Sequence, residues 1–230
     1  MDLTKLEDLF SYKFRNKDTL KEAVTHRSYI NENPEWPLPH NERLEFLGDA
    51  VLELIITESL YQKFPLEPEG RLTTFRAALV NYQILAKLSK GIELENFLLM
   101  SRGESKDTGR AREVILANAM ESLIGALYLD GGYEAAKAFI DKFIFPEVEE
   151  VIKEGLYKDP KSLLQEKSQA ELKVTPSYKL LSETGPDHKK VFTIGVFFDD
   201  EEVAKGEGFS KQEAEIEAAK KAIRTKGWDE

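Results

Sequence analysis

The sequence predicts an all-α domain followed by a small α+β domain with the element order α-β-β-β-α. Apolar residues recur at three- and four-residue spacing up to about Ile152, which is the helical period. Beyond Pro160 the pattern changes to strand-like alternation between turn-forming clusters. A chain of 230 residues is also long enough for two hydrophobic cores. We therefore predict a helical domain at 1–152, a linker at 153–159 and an α+β domain at 160–230.

In the first domain the helical pattern is interrupted where proline, glycine and small polar residues gather, and each interruption predicts a helix boundary. The interrupted stretches are 34–39, 65–70, 101–109 and 131–132. The sequence of this domain shows no strand-like alternation of useful length. The two most informative helical patterns run through residues 42–55 and 114–127.

The second domain opens with a helix from Pro160 to about residue 172, for which Asp159 is placed as the N-cap. Three strands are predicted, at 177–183, 191–198 and 203–208. Turn-like clusters separate them, at 184–188 and 199–202. A final helix follows Ser210, whose hydroxyl can cap it, and carries its alanines and Ile223 on the inner side.

Composition limits the class of protein. The chain has no cysteine, which excludes disulfides, thiolate metal sites and a thiol nucleophile, and its three histidines are too scattered to suggest a zinc cluster. The sequence starts without a basic stretch followed by an apolar run, so we predict no signal peptide. Its apolar runs are short and interrupted by charged residues, so we expect no membrane span and a cytoplasmic location.

The net charge of −10 taken alone disfavours a nucleic-acid partner. The charge is unevenly distributed, however. Residues 1–157 contain 19 Lys+Arg and 27 Asp+Glu, a balance of −8, whereas residues 158–230 contain 13 and 15, a balance of −2. The acid excess therefore lies mainly in the helical domain, where carboxylates can hold metal ions that invert the local field.

Winding residues 42–55 as a helix places three carboxylates on one face. Measured as an angle around the helix axis from Glu42, Glu45 lies at about −60° and Asp49 at about −20°. Glu45 and Asp49 are about 6 Å apart along the axis and can converge on one ion, whereas Glu42 lies about 10 Å from Asp49. A solvated acidic surface is the alternative. The core face is predicted on the opposite side, and its residues are Leu44, Leu47, Val51, Leu54 and Ile55.

Phe46 falls on the polar side of this helix, about 40° from Glu42, where a monomer exposes it to water. It is either an apolar knob that enters a partner subunit or an isolated surface phenylalanine.

The stretch 114–127 supplies further oxygen ligands. Asn118 and Glu121 lie opposite an apolar stripe, and Gly125 falls on their side, where a missing side chain permits close approach. The stripe consists of Leu116, Met120, Leu123 and Leu127. Two such helices can share one metal site. Oxygen ligands without nearby histidine or cysteine favour Mg²⁺, or Mn²⁺ as a substitute, over zinc.

Residues 41–49, NERLEFLGD, resemble without a gap the nine-residue signature of the ribonuclease III family. The resemblance extends through residues 25–29, 69–70 ahead of 76–80, and 115–117 to 129–131, and the C-terminal part is similar to the double-stranded-RNA-binding domain of that family. Together these matches cover nearly the whole chain.

The resemblance implies roles for individual residues. Four of them would occupy the metal-binding positions: Glu45, Asp49, Asn118 and Glu121. Asp49 and Glu121 would be the catalytic pair, and Phe46 would lie at a dimer interface. Glu42 and Glu69 match acidic positions near the scissile region, with less defined roles.

The resemblance also implies the reaction. Mg²⁺ would activate a water for in-line attack on a phosphodiester of double-stranded RNA and offset charge on the leaving oxygen. A symmetric homodimer would place two centres across one duplex. The products would have short 3′ overhangs, 5′-phosphates and 3′-hydroxyls, and the implied substrates are precursors of ribosomal and other structured RNAs.

Asn118 departs from the family pattern, which most often has aspartate at this position. Its carbonyl oxygen remains a ligand, but the site has one negative charge fewer and should bind metal more weakly. We interpret Asn118 as a natural variation, because the three acids are intact. A deliberate inactivating change and a relative that only binds RNA are the alternatives.

By resemblance, the second domain would contact duplex RNA through three regions, whose neutral hydrogen-bonding and cationic residues suit the shallow minor groove and the phosphates. These residues are Lys161, Gln165 and Gln169 on the first helix, His188 and Lys189 in a turn, and Lys211 and Gln212 on the last helix. Each of them is otherwise an ordinary surface residue. The family tends toward lysine at position 212, so we expect modest phosphate affinity.

The sequence supports a metal-dependent endonuclease for double-stranded RNA over two other classes. A protein that binds duplex RNA or ribosomes without chemistry is favoured only by Asn118. A phosphohydrolase for small nucleotides lacks the glycine-rich phosphate loop and leaves the second domain unexplained.

Overall fold

The computed structural model describes residues 2–155, 157, 159–186 and 190–228. The chain forms two compact units, Met1–Tyr157 and Lys158–Glu230. The boundary between them falls inside the predicted linker. The last helix of the first unit ends at Lys153, one residue beyond the predicted end of the helical domain.

The first unit is helical, as predicted. Its helices are α1 (Thr4–Phe10), α2 (Lys17–Ala23), α3 (Arg27–Glu32), α4 (Glu42–Lys63), α5 (Glu69–Leu79), α6 (Tyr82–Gly91), α7 (Arg110–Phe143) and α8 (Glu147–Lys153). Two 3₁₀ turns lie between α6 and α7, at Leu94–Phe97 and Glu104–Lys106. The predicted interruption at 65–70 ends earlier than expected, because Pro68 is the N-cap of α5.

Helices α4 and α7 form the centre of this unit, and α6 and α2 also pack against α7. The four residues of the predicted α7 stripe are fully buried. Burial extends around most of the α7 circumference, because α7 has neighbours on several sides and Ile124 and Ala126 are fully buried as well.

The buried face of α4 differs from the predicted one. Leu54, predicted to lie in the core, is 58% exposed, whereas Leu52 and Ile56 outside the predicted face are fully buried. The reason is that α7 packs against the side of α4 that carries Gly48. The buried arc is therefore rotated toward α7 and away from Leu54.

The predicted interruption at 131–132 is a kink inside α7. Gly132 has a φ of 76°, and the helix continues beyond it. Just before the kink, the Asp130 carboxylate accepts hydrogen bonds from the Tyr12 hydroxyl at 2.7 Å and from the backbone N–H groups of Arg15 and Asn16 at 2.9 Å. These bonds fasten the segment after α1 to the kinked helix.

By length and mean hydropathy α7 could cross a membrane. However, 56% of its most apolar stretch is buried inside the unit. A buried core helix has the same composition, and α7 occupies the core position.

The second unit is a three-stranded antiparallel sheet with two helices, as predicted. Its elements are α9 (Pro160–Glu171), β1 (Pro176–Thr184), β2 (Val191–Phe198), β3 (Glu201–Gly208) and α10 (Lys211–Lys226), with strand order β1-β2-β3. Asp159 and Ser210 cap α9 and α10 through their side chains, as predicted. The core includes Leu164, Val196, Phe198, Ala218, Ala219, Ala222, Ile223 and Trp228.

Strand β3 begins two residues before its predicted start. Glu201 and Glu202 pair with Phe198 and Phe197, so the acidic turn contains only Asp199 and Asp200. Asp199 has a φ of 53°, which aspartate tolerates in a tight turn. The predicted turn at 184–188 lies partly in β1, which extends to Thr184, and partly outside the described residues.

Candidate functional site

Two glycines let α4 and α7 approach until their backbones touch. A Cβ added to Gly48 would lie 1.7 Å from the Glu121 carbonyl oxygen, and one added to Gly125 would lie 2.2 Å from the Leu44 carbonyl oxygen. The predicted close approach at Gly125 is therefore confirmed. The partner glycine, Gly48, belongs to the 41–49 string. Its role was not predicted, because a glycine that is needed for packing resembles an ordinary glycine in sequence.

The start of α4 is fixed by a buried polar residue. Asn41 is 3% exposed, its backbone N–H donates to the Thr25 carbonyl oxygen at 2.9 Å, and its side-chain amide donates to the Ala23 carbonyl oxygen at 3.5 Å. These bonds hold the first turn of α4, and with it Glu45, against the segment after α2. Sequence reasoning missed this role, although a polar residue at a helix start is a usable signal.

The carboxylates of α4 and α7 meet beside the glycine contact. The Asn118 side chain lies near the Glu45 carboxylate and partly offsets the rise in its pKa. Burial raises the pKa of Glu45, and the nearby Glu42 and Asp49 raise it further. For Glu121, burial first and then repulsion from Asp49 and Glu45 raise the pKa to about 8. The four predicted ligand positions thus lie within electrostatic range of one another.

Among the described residues, no three His, Asp or Glu side chains are close enough to hold a metal ion as they stand. The donor set nevertheless fits a divalent cation. All donors are oxygen atoms, which hard cations prefer. Two of the three carboxylates are pushed toward their neutral forms, and a cation between them would relieve that destabilisation.

The other predicted acids are placed differently. Glu42 lies 3.5 Å from the Arg27 guanidinium and 3.8 Å from the His40 ring, and its charge affects Glu45. Glu69 lies at the start of α5, where its carboxylate accepts a hydrogen bond from the Thr73 hydroxyl at 3.0 Å. The structure therefore brings Glu42 to the edge of the carboxylate cluster and places Glu69 in another surface feature.

Phe46 is 82% exposed, in agreement with the predicted apolar knob. The same side of α4 also exposes Leu54 and Tyr61. Next to this apolar face is a cavity of about 430 Å³. Its lining residues are Thr57, Leu60, Tyr61, Glu67, Glu69, Leu72, Thr73 and Arg76.

The predicted RNA-binding residues of α9 fall into two groups. Gln165 and Gln169 are exposed, and Gln169 donates to the Thr175 hydroxyl at 3.2 Å. Lys161 instead pairs with Glu215 of α10 at 2.6 Å and lies over the Tyr178 ring at 4.9 Å. Lys161 is therefore neutralised within its own unit, which its spacing from the two glutamines could not indicate.

The other predicted RNA-binding residues lie near α10. Lys211 and Gln212 are exposed in the first turn of α10. His188 and Lys189 lie outside the described residues. The first turn is fixed by a capping box, in which the Glu213 N–H donates to the Ser210 hydroxyl oxygen at 3.2 Å and the Phe209 N–H donates to the Glu213 carboxylate at 3.0 Å.

Comparison with known proteins identifies both units. Residues 16–148 match the family described as Ribonuclease-III-like, and residues 160–226 match the double-stranded RNA binding motif. The chain is 46% identical over 222 residues to Ribonuclease 3 of Carboxydothermus hydrogenoformans, covering 96% of this chain and 94% of that protein. It is 45% identical over 222 residues to Ribonuclease 3 of Campylobacter fetus, covering 96% and 97%.

Two solved structures of a nuclease domain are also similar to this chain. The nuclease domain of ribonuclease III from Campylobacter jejuni is 40% identical and superposes with a TM-score of 0.57, covering 64% of this chain and 95% of that one. A second structure of that nuclease domain has a TM-score of 0.55 at 40% identity and covers 63% and 99%. Its description concerns structural flexibility in a region involved in dimer formation.

Proposed function

We propose that this protein processes precursors of ribosomal and other structured RNAs in the cytoplasm. The chain belongs to the ribonuclease III family and is an endoribonuclease specific for double-stranded RNA. The proposed products carry 5′-phosphates, 3′-hydroxyls and short 3′ overhangs. The observation that supports the site assignment is the mutual electrostatic influence of Glu45, Asp49 and Glu121 beside the α4–α7 contact, with Asn118 near Glu45.

Members of this family depend on a divalent metal, and we propose that the metal here is Mg²⁺. Glu45, Asp49, Asn118 and Glu121 would hold it. When bound, it supplies an activated water and offsets charge on the leaving oxygen. The protein positions the ligands and fixes the helices that carry them.

The three carboxylates and one amide have distinct roles in this proposal. Asp49 is exposed, whereas Glu121 is only partly exposed beside the helix contact. The Asn118 side chain lies near Glu45 and would offer its carbonyl oxygen as a ligand. A fourth carboxylate at position 118 would add repulsion to a cluster that is already destabilised.

We propose that the active species is a homodimer formed through the apolar face of α4. Phe46 projects from that face, and a cavity lies three to four turns farther along the same helix, near Thr57 and Tyr61. A two-fold axis across α4 would bring the knob of each copy to the cavity of the other, as a self-complementary interface requires. Glu69 and Arg76 line the cavity and would then lie at the subunit boundary.

The experiment is cleavage of a labelled RNA hairpin by the full chain with millimolar Mg²⁺ or Mn²⁺, with product ends resolved on a gel. Discrete cuts with 5′-phosphate ends are expected. Retained duplex binding without cleavage at millimolar metal would favour a second candidate, a protein that binds duplex RNA without chemistry. Asn118 is the observation that favours this alternative.

A further inference from the structure

One carboxylate in the second unit contacts two lysines, one that directly follows His188 and Lys189 in the chain and one that is a predicted RNA contact on α10. Glu183, near the end of β1, places one carboxylate oxygen 3.3 Å from the Lys190 ammonium and the other 3.9 Å from the Lys211 ammonium. Lys190 lies at the end of the β1–β2 turn, and Lys211 lies in the first turn of α10. Glu183 thus links these two regions.

The fold explains this arrangement. Glu183 pairs with Phe192 across β1 and β2, and Phe192 pairs with Gly208 across β2 and β3, so the three residues form one row across the sheet. The first turn of α10 packs onto Gly208, where an added Cβ would lie 2.6 Å from the Ala214 nitrogen. Lys211 extends from that turn over the Phe192 ring, at 5.9 Å, and reaches Glu183.

The third region has an equivalent pair. Lys161 of α9 is bound by Glu215 at 2.6 Å. Lys161, Lys190 and Lys211 are therefore each paired with a carboxylate of the same unit. A phosphate that approaches Lys190 or Lys211 meets an ammonium that is already paired.

We propose that Glu183 attenuates the affinity of this protein for duplex RNA by occupying Lys190 and Lys211 in the free state. Phosphates of the duplex compete with the carboxylate for these lysines. A lysine that stays paired with Glu183 neutralises no phosphate and displaces no counterion from the duplex, so binding depends less on salt than the number of lysines implies. Weaker binding speeds release of the cleaved duplex. The proposal rests on the proposed binding of duplex RNA by this face.

The test uses the full chain, a labelled RNA duplex and EDTA, which prevents cleavage, with dissociation constants measured by fluorescence anisotropy between about 50 and 200 mM salt. Glu183→Gln should tighten binding about two- to tenfold at low salt, the size expected for exposed ion pairs. The slope of log K against log salt should steepen by about one for each phosphate that the released lysines neutralise.

Glu217→Gln is the matched control. Glu217 belongs to the same unit and pairs with Lys221 at 4.0 Å on another side of α10. The control removes the same charge but should change affinity less than Glu183→Gln. An equal gain for both variants would show only an effect of net charge and would overturn the proposal, as would unchanged or weaker binding by Glu183→Gln.

Two further variants separate the causes. The gain from Glu183→Gln should shrink in a Lys211→Met background, because the competing pair is then incomplete; a full gain there would contradict the proposal. Glu183→Asp keeps the charge on a shorter side chain and should give an intermediate gain, which tests the idea even if Glu183→Gln folds poorly.

Absence of wild-type binding would overturn both RNA binding by this face and the inference, whereas wild-type binding with no effect of Glu183→Gln overturns the inference alone.

Discussion

The two units differ in whether their functional charges are paired: carboxylates are crowded together in the first unit, and lysines are paired with carboxylates in the second. At the α4–α7 contact, three carboxylates are crowded, and burial and mutual repulsion raise the pKa of Glu121 to about 8. In the second unit, Lys161, Lys190 and Lys211 are paired with carboxylates of their own unit. The first site is left with excess negative charge that a cation would balance, and the second is balanced before any ligand arrives. Cleavage at the first site should therefore depend steeply on metal concentration, and RNA binding by the second unit should depend only moderately on salt concentration.

The largest expected effect comes from removing one charge at the first site. Glu121→Gln should lower the cleavage rate by about a thousandfold or more, because a metal ligand and its charge are lost together. Binding of duplex RNA in EDTA should be unchanged, since the second unit is untouched. Single-turnover cleavage and anisotropy measure the two quantities, and normal turnover by this variant would show that the centre lies elsewhere.

A substitution at the glycine contact between α4 and α7 should have the next largest effect. Gly48→Ala places a methyl group against the Glu121 carbonyl oxygen, so we expect a loss of about 3 kcal/mol or more in the free energy of unfolding of the first unit. Gly70→Ala is the control, because an added Cβ there meets no atom within 4 Å in the described part of the chain. Urea denaturation of both variants checks the difference, and equal stability would mean that the helices are not in backbone contact.

The metal-free protein should lose stability as the pH rises. The pKa of Glu121 is raised from 4.5 to about 8 in the folded state, so the folded state retains a proton that the unfolded chain gives up. Stability is therefore fully present below about pH 4.5 and falls as the pH rises toward 8. Thermal melts in EDTA at several pH values should show this trend for wild type, and a flatter profile for Glu121→Gln. The same slope in both proteins would assign the trend to other groups.

The smallest of these effects concerns Asn118. Asn118→Asp should raise metal affinity about tenfold, because it adds a negatively charged ligand, and should lower the melting temperature in EDTA by a few degrees through repulsion of Glu45. Titration of Mn²⁺ by calorimetry and a melt without metal measure both. Weaker metal binding by this variant would show that an amide at position 118 suits this site better than a carboxylate.

The order and class of the elements could be predicted because helical and strand periods are local properties of the sequence. The buried face of α4 could be predicted only in part, since the position of α7 decides which residues are covered and Leu54 lies on the uncovered side. The three acids could be identified from their spacing and from the family string. The pairing of Lys161 with Glu215 could not be predicted from the sequence, because it depends on the packing of α9 against α10.

The contact between the backbones at Gly48 and Gly125 has a consequence for how this site can vary. Main-chain atoms have no rotamers, so the distance between the two helices is set independently of the side chains that project beside the contact. A substitution at position 118 should therefore change the proposed ligand without moving the two helices. The glycine contact would thus allow an amide or a carboxylate at this position with the same spacing between α4 and α7.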